Sequence, residues 1–178
     1  MKFVTDLRLL LLAIWLGAAV FFIGVAQVAF SVSPTREAAG AVVGGTLSVL
    51  NYAGLGIAAV LFLSSFLSSN SRNAVMLWAE RLFLLIVAAA CSIAQFVIGL
   101  MMMSVRAQAS GPIDALPAED PLRLRFDQLH QYSEWFLLAA MIAALIAFFL
   151  IANRKSSAAV DKKAAADEPY DFSKEFKI

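Results

Sequence analysis

Between Arg81 and Arg106 the chain runs from Leu82 to Val105 without one charged side chain. Wound as an α-helix at ~1.5 Å per residue, this stretch is roughly 36 Å long, enough to cross a hydrocarbon core of about 30 Å with some tilt. Such a core offers no water to the backbone N–H and C=O groups, so a segment crossing it has to satisfy them internally, as a helix does. Leu9–Val32 obeys the same constraint, as does the charge-free interval Ala38–Ser71, within which a span is assigned to Ala39–Leu67. Trp135–Asn153 follows near the C-terminus, closed by Arg154 and Lys155. The expected spans are 9–32, 39–67, 76–103 and 135–153. Together they describe an all-α, polytopic membrane four-helix bundle of up-down-up-down topology.

Composition agrees. Of the 178 residues 61% are hydrophobic and 15% charged, against roughly 25% charged in ordinary soluble domains. A net charge of +1 excludes the strongly basic surface that nucleic acid requires. The single cysteine, Cys91, lies inside the third span, where it forms no intrachain disulfide and reads as a small core residue.

Helices surrounded by lipid recognise one another through small and polar residues. On the first span Gly17, Val20, Gly24, Gln27 and Ser31 share a line; on the second Gly40, Gly44, Ser48, Asn51, Gly54 and Ala58; on the third Arg81, Leu85, Ala88, Ser92, Gln95, Gly99 and Met102. These lines are the expected contact seams. The small residues Gly24-Val25-Ala26 also fit a signal-peptide cleavage pattern, but the apolar run is longer than the usual ~7–15-residue signal core, so the segment is read as a retained span. Gln27, Asn51, Ser92, Gln95, Ser133 and Glu134 are the polar groups expected inside the bundle, where interhelical hydrogen bonds of about 0.6–2 kcal/mol each account for them. Glu80 and Arg81 are read as snorkelling into the headgroups beside an interfacial Trp78.

The connections are short apart from Ser104–Glu119, which contains Gly111-Pro112 and Pro117. Asp120-Pro121 is a helix start, with an acidic N-cap and proline at the first helical position. Leu122, Phe126, Leu129 and Ser133 then share one face, and Arg123, Asp127, His130 and Glu134 another, making an amphipathic lead-in to the fourth helix. Residues 1–8 form a polar N-terminus. Residues 154–178, rich in Ala, Lys, Asp and Glu, read as a disordered tail. Four spans bring both termini to one side together with Lys2, Arg8, Arg72, Arg81, Arg154, Lys155, Lys162 and Lys163. Arg36, Arg106, Arg123 and Arg125 fall opposite. The positive-inside rule then places both termini in the cytoplasm of an inner (plasma) membrane protein.

No phosphate-binding glycine loop, paired-cysteine zinc pattern or H-E-x-x-H motif is present. Met101, Met102 and Met103 end the third span on the side where His130 begins the fourth, and thioether with imidazole suits Cu(I). The metal reading therefore rests on His130, Met102 and Met103. Consecutive methionines point in different directions on a helix, which limits how many reach one ion. Bis-histidine haem ligation needs a second histidine, which one chain lacks.

Trp15-Leu16-Gly17-Ala18-Ala19-Val20-Phe21-Phe22, Ala39-Gly40…Gly44 and Phe126-x-x-Leu129-His130-x-x-Ser133 resemble the transmembrane protein 205-like family, bacterial four-helix membrane proteins of unknown function. More distantly they resemble copper-resistance protein D-type membrane domains. The resemblance covers roughly Leu9–Asn153, and its most specific element is Leu-His-x-x-Ser. It implies a four-span bundle without an assigned role, while the single histidine departs from a multi-histidine metal-handling pattern. The expected function is a non-enzymatic bundle in the lipid bilayer, able to form homo-oligomers, that moves or senses a small solute or ion and holds no cofactor. The alternatives are a copper-handling protein using His130 and the outer methionines, and a membrane enzyme or haem-binding subunit.

Overall fold

A computed structural model describes residues 2–67 and 74–166 of the chain. Among the described residues, four helices are long and apolar enough to cross a membrane. They are α1 (Lys2–Val32), α2 (Arg36–Leu67), α3 (Ala74–Gln108) and α4 (Pro121–Ala166). Each neighbouring pair in chain order packs together, and α4 closes back onto α1. The result is a square of four rods with α1 diagonal to α3 and α2 diagonal to α4. One end of the square, the basal end, holds the start of α1, the end of α2 and the start of α3. The other holds the segment between α3 and α4, the loop end.

The helix starts follow local chemistry. Thr35 caps α2, its Oγ1 accepting from the Ala38 backbone N–H at 3.1 Å. Asp120 caps α4, its carboxylate accepting from Leu122 N–H at 2.8 Å. The amphipathic lead-in and the fourth span are one unbroken helix from Pro121. Its expected apolar face is real, with Leu129 and Ser133 buried and Leu122 and Phe126 half-buried. The helix also continues to Ala166, past the point where a disordered tail was expected to begin. The alanines, lysines and arginine of 154–166 favour helix, and a helix already formed upstream removes the nucleation cost. The rest of the expected tail, 167–178, and most of the polar turn expected at 68–74 lie outside the described residues.

The interior is reached by different lines of residues from those expected. On α1 the buried line is Arg8, Leu12, Trp15, Ala19, Phe22 and Ala29, alternating steps of four and three that suit left-handed packing of long helices. The small-residue line Gly17, Val20, Gly24, Gln27, Ser31 faces outward. On α3 the buried line is Leu77, Glu80, Leu84, Val87, Cys91, Ala94 and Ile98, one position away from the expected seam, whose Ser92, Gln95 and Gly99 are half-buried. Lipid tails are as apolar as leucine, so apolar side chains do not decide which face turns inward. Fit and polar pairing do.

Within α3 a π-helical turn spans Ile93–Ile98, closed by Gly99 N–H donating to Ala94 O. One extra residue in that turn re-aims the remainder of the helix. Ile98 and Val105 thereby pack with Leu129, flanked by Met102, Ile113, Leu122, Phe126 and Phe136, forming a second apolar cluster at the loop end.

Candidate functional site: a buried ion pair across the bundle

Arg8, Leu61 and Glu80 each stand six positions from the basal end of their helices, about 9 Å along the axis. They share one level of the bundle. There the Arg8 guanidinium, through Nη2, pairs with Glu80 Oε1 and also donates to the Leu61 carbonyl at 3.0 Å. Side-chain exposure is 3% for Arg8 and 1% for Glu80. Because α1 and α3 are diagonal, this bond runs through the bundle centre instead of along a helix–helix seam. Arg8 Nε and Nη1 are also buried and have no hydrogen-bond partner among the described residues.

Glu80 and Arg81, adjacent in sequence, go separate ways. Glu80 turns into the bundle, which corrects the expectation that it snorkels. Arg81 turns toward α2, where Nε donates to Ser65 Oγ at 2.9 Å and Nη2 to Ser65 O at 3.2 Å. Its guanidinium lies 4.1 Å from the centre of the Phe66 ring and 5.7 Å from that of Trp78. Successive turns of α2 thus hold two arginines through Leu61 and Ser65, and Glu80 answers one of them.

One level deeper, the Trp15 indole donates to Leu50 O at 3.0 Å. Gly54 gives it room, and Cys91 reaches the same spot from the opposite corner. Asn51 is buried. Ser133 is buried too, with its hydroxyl donating to His130 O of its own helix at 2.7 Å. The other expected interior groups are placed differently. Gln27 is exposed, because α1 turns the line of Leu12, Trp15, Ala19, Phe22 and Ala29 inward, and Ser92 and Gln95 are half-buried. Glu134 is 69% exposed and lies 3.4 Å from His130 Nε2 on the outer surface of α4. It follows the buried Ser133 by one residue, a rotation of about 100°, and so points away from the core.

The residues considered for copper have different immediate surroundings. Met102 packs into the loop-end apolar cluster, Met103 is 66% exposed, and His130 engages Glu134. No group of three His, Cys, Asp or Glu side chains able to hold a metal occurs among the described residues.

Comparison with known families matches residues 10–110 to the domain of unknown function DUF4149, more than half of the chain. The chain belongs to the DUF4149 family. The match contains Glu80, Arg81, Ser65 and Gly54. It starts two residues after Arg8 and ends before Leu129-His130-x-x-Ser133. No curated protein and no solved structure matches the chain. In this DUF4149 member, sequence reasoning passed over Arg8 as part of a polar N-terminus. The available signal was register: Arg8 continues the four–three spacing of Leu12, Trp15, Ala19 and Phe22, and Glu80 that of Leu77, Leu84 and Val87.

Proposed function

We propose that this multi-pass membrane protein is a non-enzymatic bundle that moves or senses a small solute or ion, with the Arg8–Glu80 pair as its working element. The supporting observation is the pair itself. Burying two charges costs several kcal/mol per ion, and apolar residues of similar volume are often as stabilising. Ionisable groups inside membrane bundles characteristically lie on substrate or ion pathways. A bond through the bundle centre also ties α1 to α3 across the diagonal at the basal end. The orientation belongs to the same reading, with the basal end and both termini cytoplasmic in a bacterial inner membrane. Kinship with transmembrane protein 205-like and copper-resistance protein D-type domains is likewise part of the proposal, as a statement about architecture.

The test combines ion flux in proteoliposomes with a distance measured between spin labels at Leu10→Cys and Leu82→Cys, both exposed, in a Cys91→Ser background. The paired variant Arg8→Gln/Glu80→Gln keeps hydrogen-bonding side chains and removes both charges. It is expected to abolish flux, or to fix the α1–α3 distance against added ions. Flux and distance that both match the unsubstituted protein would overturn the reading.

A further inference from the structure

Arg81 is a cation whose sequence neighbour has been taken away from it. Glu80 is committed to Arg8 on the diagonal helix, and no carboxylate lies within ion-pair distance of Arg81 among the described residues. The groups that hold Arg81 are neutral: the hydroxyl and carbonyl of the buried Ser65, and two aromatic rings. Those contacts fix the guanidinium plane. They occupy Nε and one hydrogen of Nη2 and leave the Nη1 side of the fork as donor.

Depth and surroundings say what meets it. Arg81 is the last charged residue before the apolar run Leu82–Val105, so it stands where hydrocarbon gives way to headgroups. Phe66 and Trp78, against which it stacks, are 51% and 69% exposed and face outward between α2 and α3. Trp at this depth is an interfacial anchor. An immobilised guanidinium without a counter-charge, framed by aromatics and facing lipid at headgroup level, is complementary to a phosphate, which arginine binds through several N–H donors at once. The geometry points to a site for the phosphate of an anionic phospholipid on the α2–α3 face, with Arg81 as the binding group and Ser65 as the residue that positions it. The site stands whether or not the bundle transports anything, since it lies on the lipid-facing surface and not at the central pair.

The experiment is thermal unfolding of the full chain, purified and delipidated in a neutral detergent, with phosphatidylglycerol or phosphatidylcholine added. Phosphatidylglycerol is expected to raise Tm by about 2–4 °C more than phosphatidylcholine, the shift for ligand some fivefold above its Kd. Arg81→Gln is expected to erase that difference. Ser65→Ala keeps the charge but releases its hold through Oγ, and is expected to reduce the difference by half or more. A phosphatidylglycerol preference that survives Arg81→Gln overturns the proposal, as does its absence from the unsubstituted protein. Inorganic phosphate at 10 mM, in the order-of-magnitude range of ordinary buffers (~10 mM), is expected to give no shift. An equal shift would assign the site to a soluble anion and overturn the lipid assignment.

Discussion

Trp15 rests on Gly54 so closely that a methyl group on the glycine would lie 2.7 Å from the indole Nε1 and 2.8 Å from Cys91 Sγ. Three helices meet at this point: α1 and α3 from opposite corners, with α2 thinned to backbone between them. Alanine ordinarily gains about 1 kcal/mol over glycine inside a helix, but here the indole is held by its bond to Leu50 O and cannot retreat without losing it. Gly54→Ala is therefore expected to destabilise by about 1–3 kcal/mol. Gly56→Ala, with nothing within 4 Å, should be neutral or stabilising. Thermal unfolding of the two variants side by side checks the sign.

The Arg8–Glu80 pair predicts strong non-additivity. Removing one partner's charge leaves the other as a buried charge, so Arg8→Gln and Glu80→Gln are each expected to cost about 3–5 kcal/mol. Converting both to glutamine removes that penalty and should recover most of the loss. A double-mutant cycle by denaturation in mixed micelles measures the coupling. Additive single and double effects would mean that the two charges do not depend on each other.

Polar residues sort by exposure, and their substitution should follow the same order. Asn51→Leu alters a buried position and is expected to lower stability, whereas Gln27→Leu, on the exposed face of α1, should change it by less than about 0.5 kcal/mol. Cysteine labelling makes the same distinction. A Gln27→Cys variant should react with a membrane-soluble maleimide, and an Asn51→Cys variant should resist it.

Copper retention is expected to be absent. With His130 engaged by Glu134 and Met102 packed among apolar side chains, protein purified in micromolar Cu(I) should carry no stoichiometric metal by elemental analysis. Stoichiometric copper that disappears on His130→Ala would reverse this expectation.

The π-turn makes a prediction of its own. Deleting the exposed Val97 would restore α-helical spacing and rotate everything after it by about 100°. Val105 and Met102 would then leave Leu129 and Phe126. The loop-end cluster is expected to come apart while the basal end stays intact, visible as faster hydrogen exchange confined to 99–130.

The uncharged runs settled the number and the order of the long apolar helices. Hydrocarbon forbids unsatisfied backbone, and that rule reads directly from one stretch of residues at a time. The cap at Asp120 and the apolar face of Leu122, Phe126, Leu129 and Ser133 were legible for the same local reason. Which side of each helix faces its neighbours was a different matter. Small-residue lines pointed to Gly17–Gly24 on α1 and to Ser92–Gln95 on α3, and both were displaced from the buried lines. In lipid an apolar residue is equally at home on either side, so periodicity identifies candidate seams without choosing among them. Tertiary structure made the choice through contacts between residues far apart: Trp15 against Gly54 and Cys91, and Arg8 with Glu80, 72 positions away. An arginine near one end of a chain and a glutamate in its middle carry no local sign that they share a bond. Only the closing of four helices into a square brings two diagonal corners to the same point.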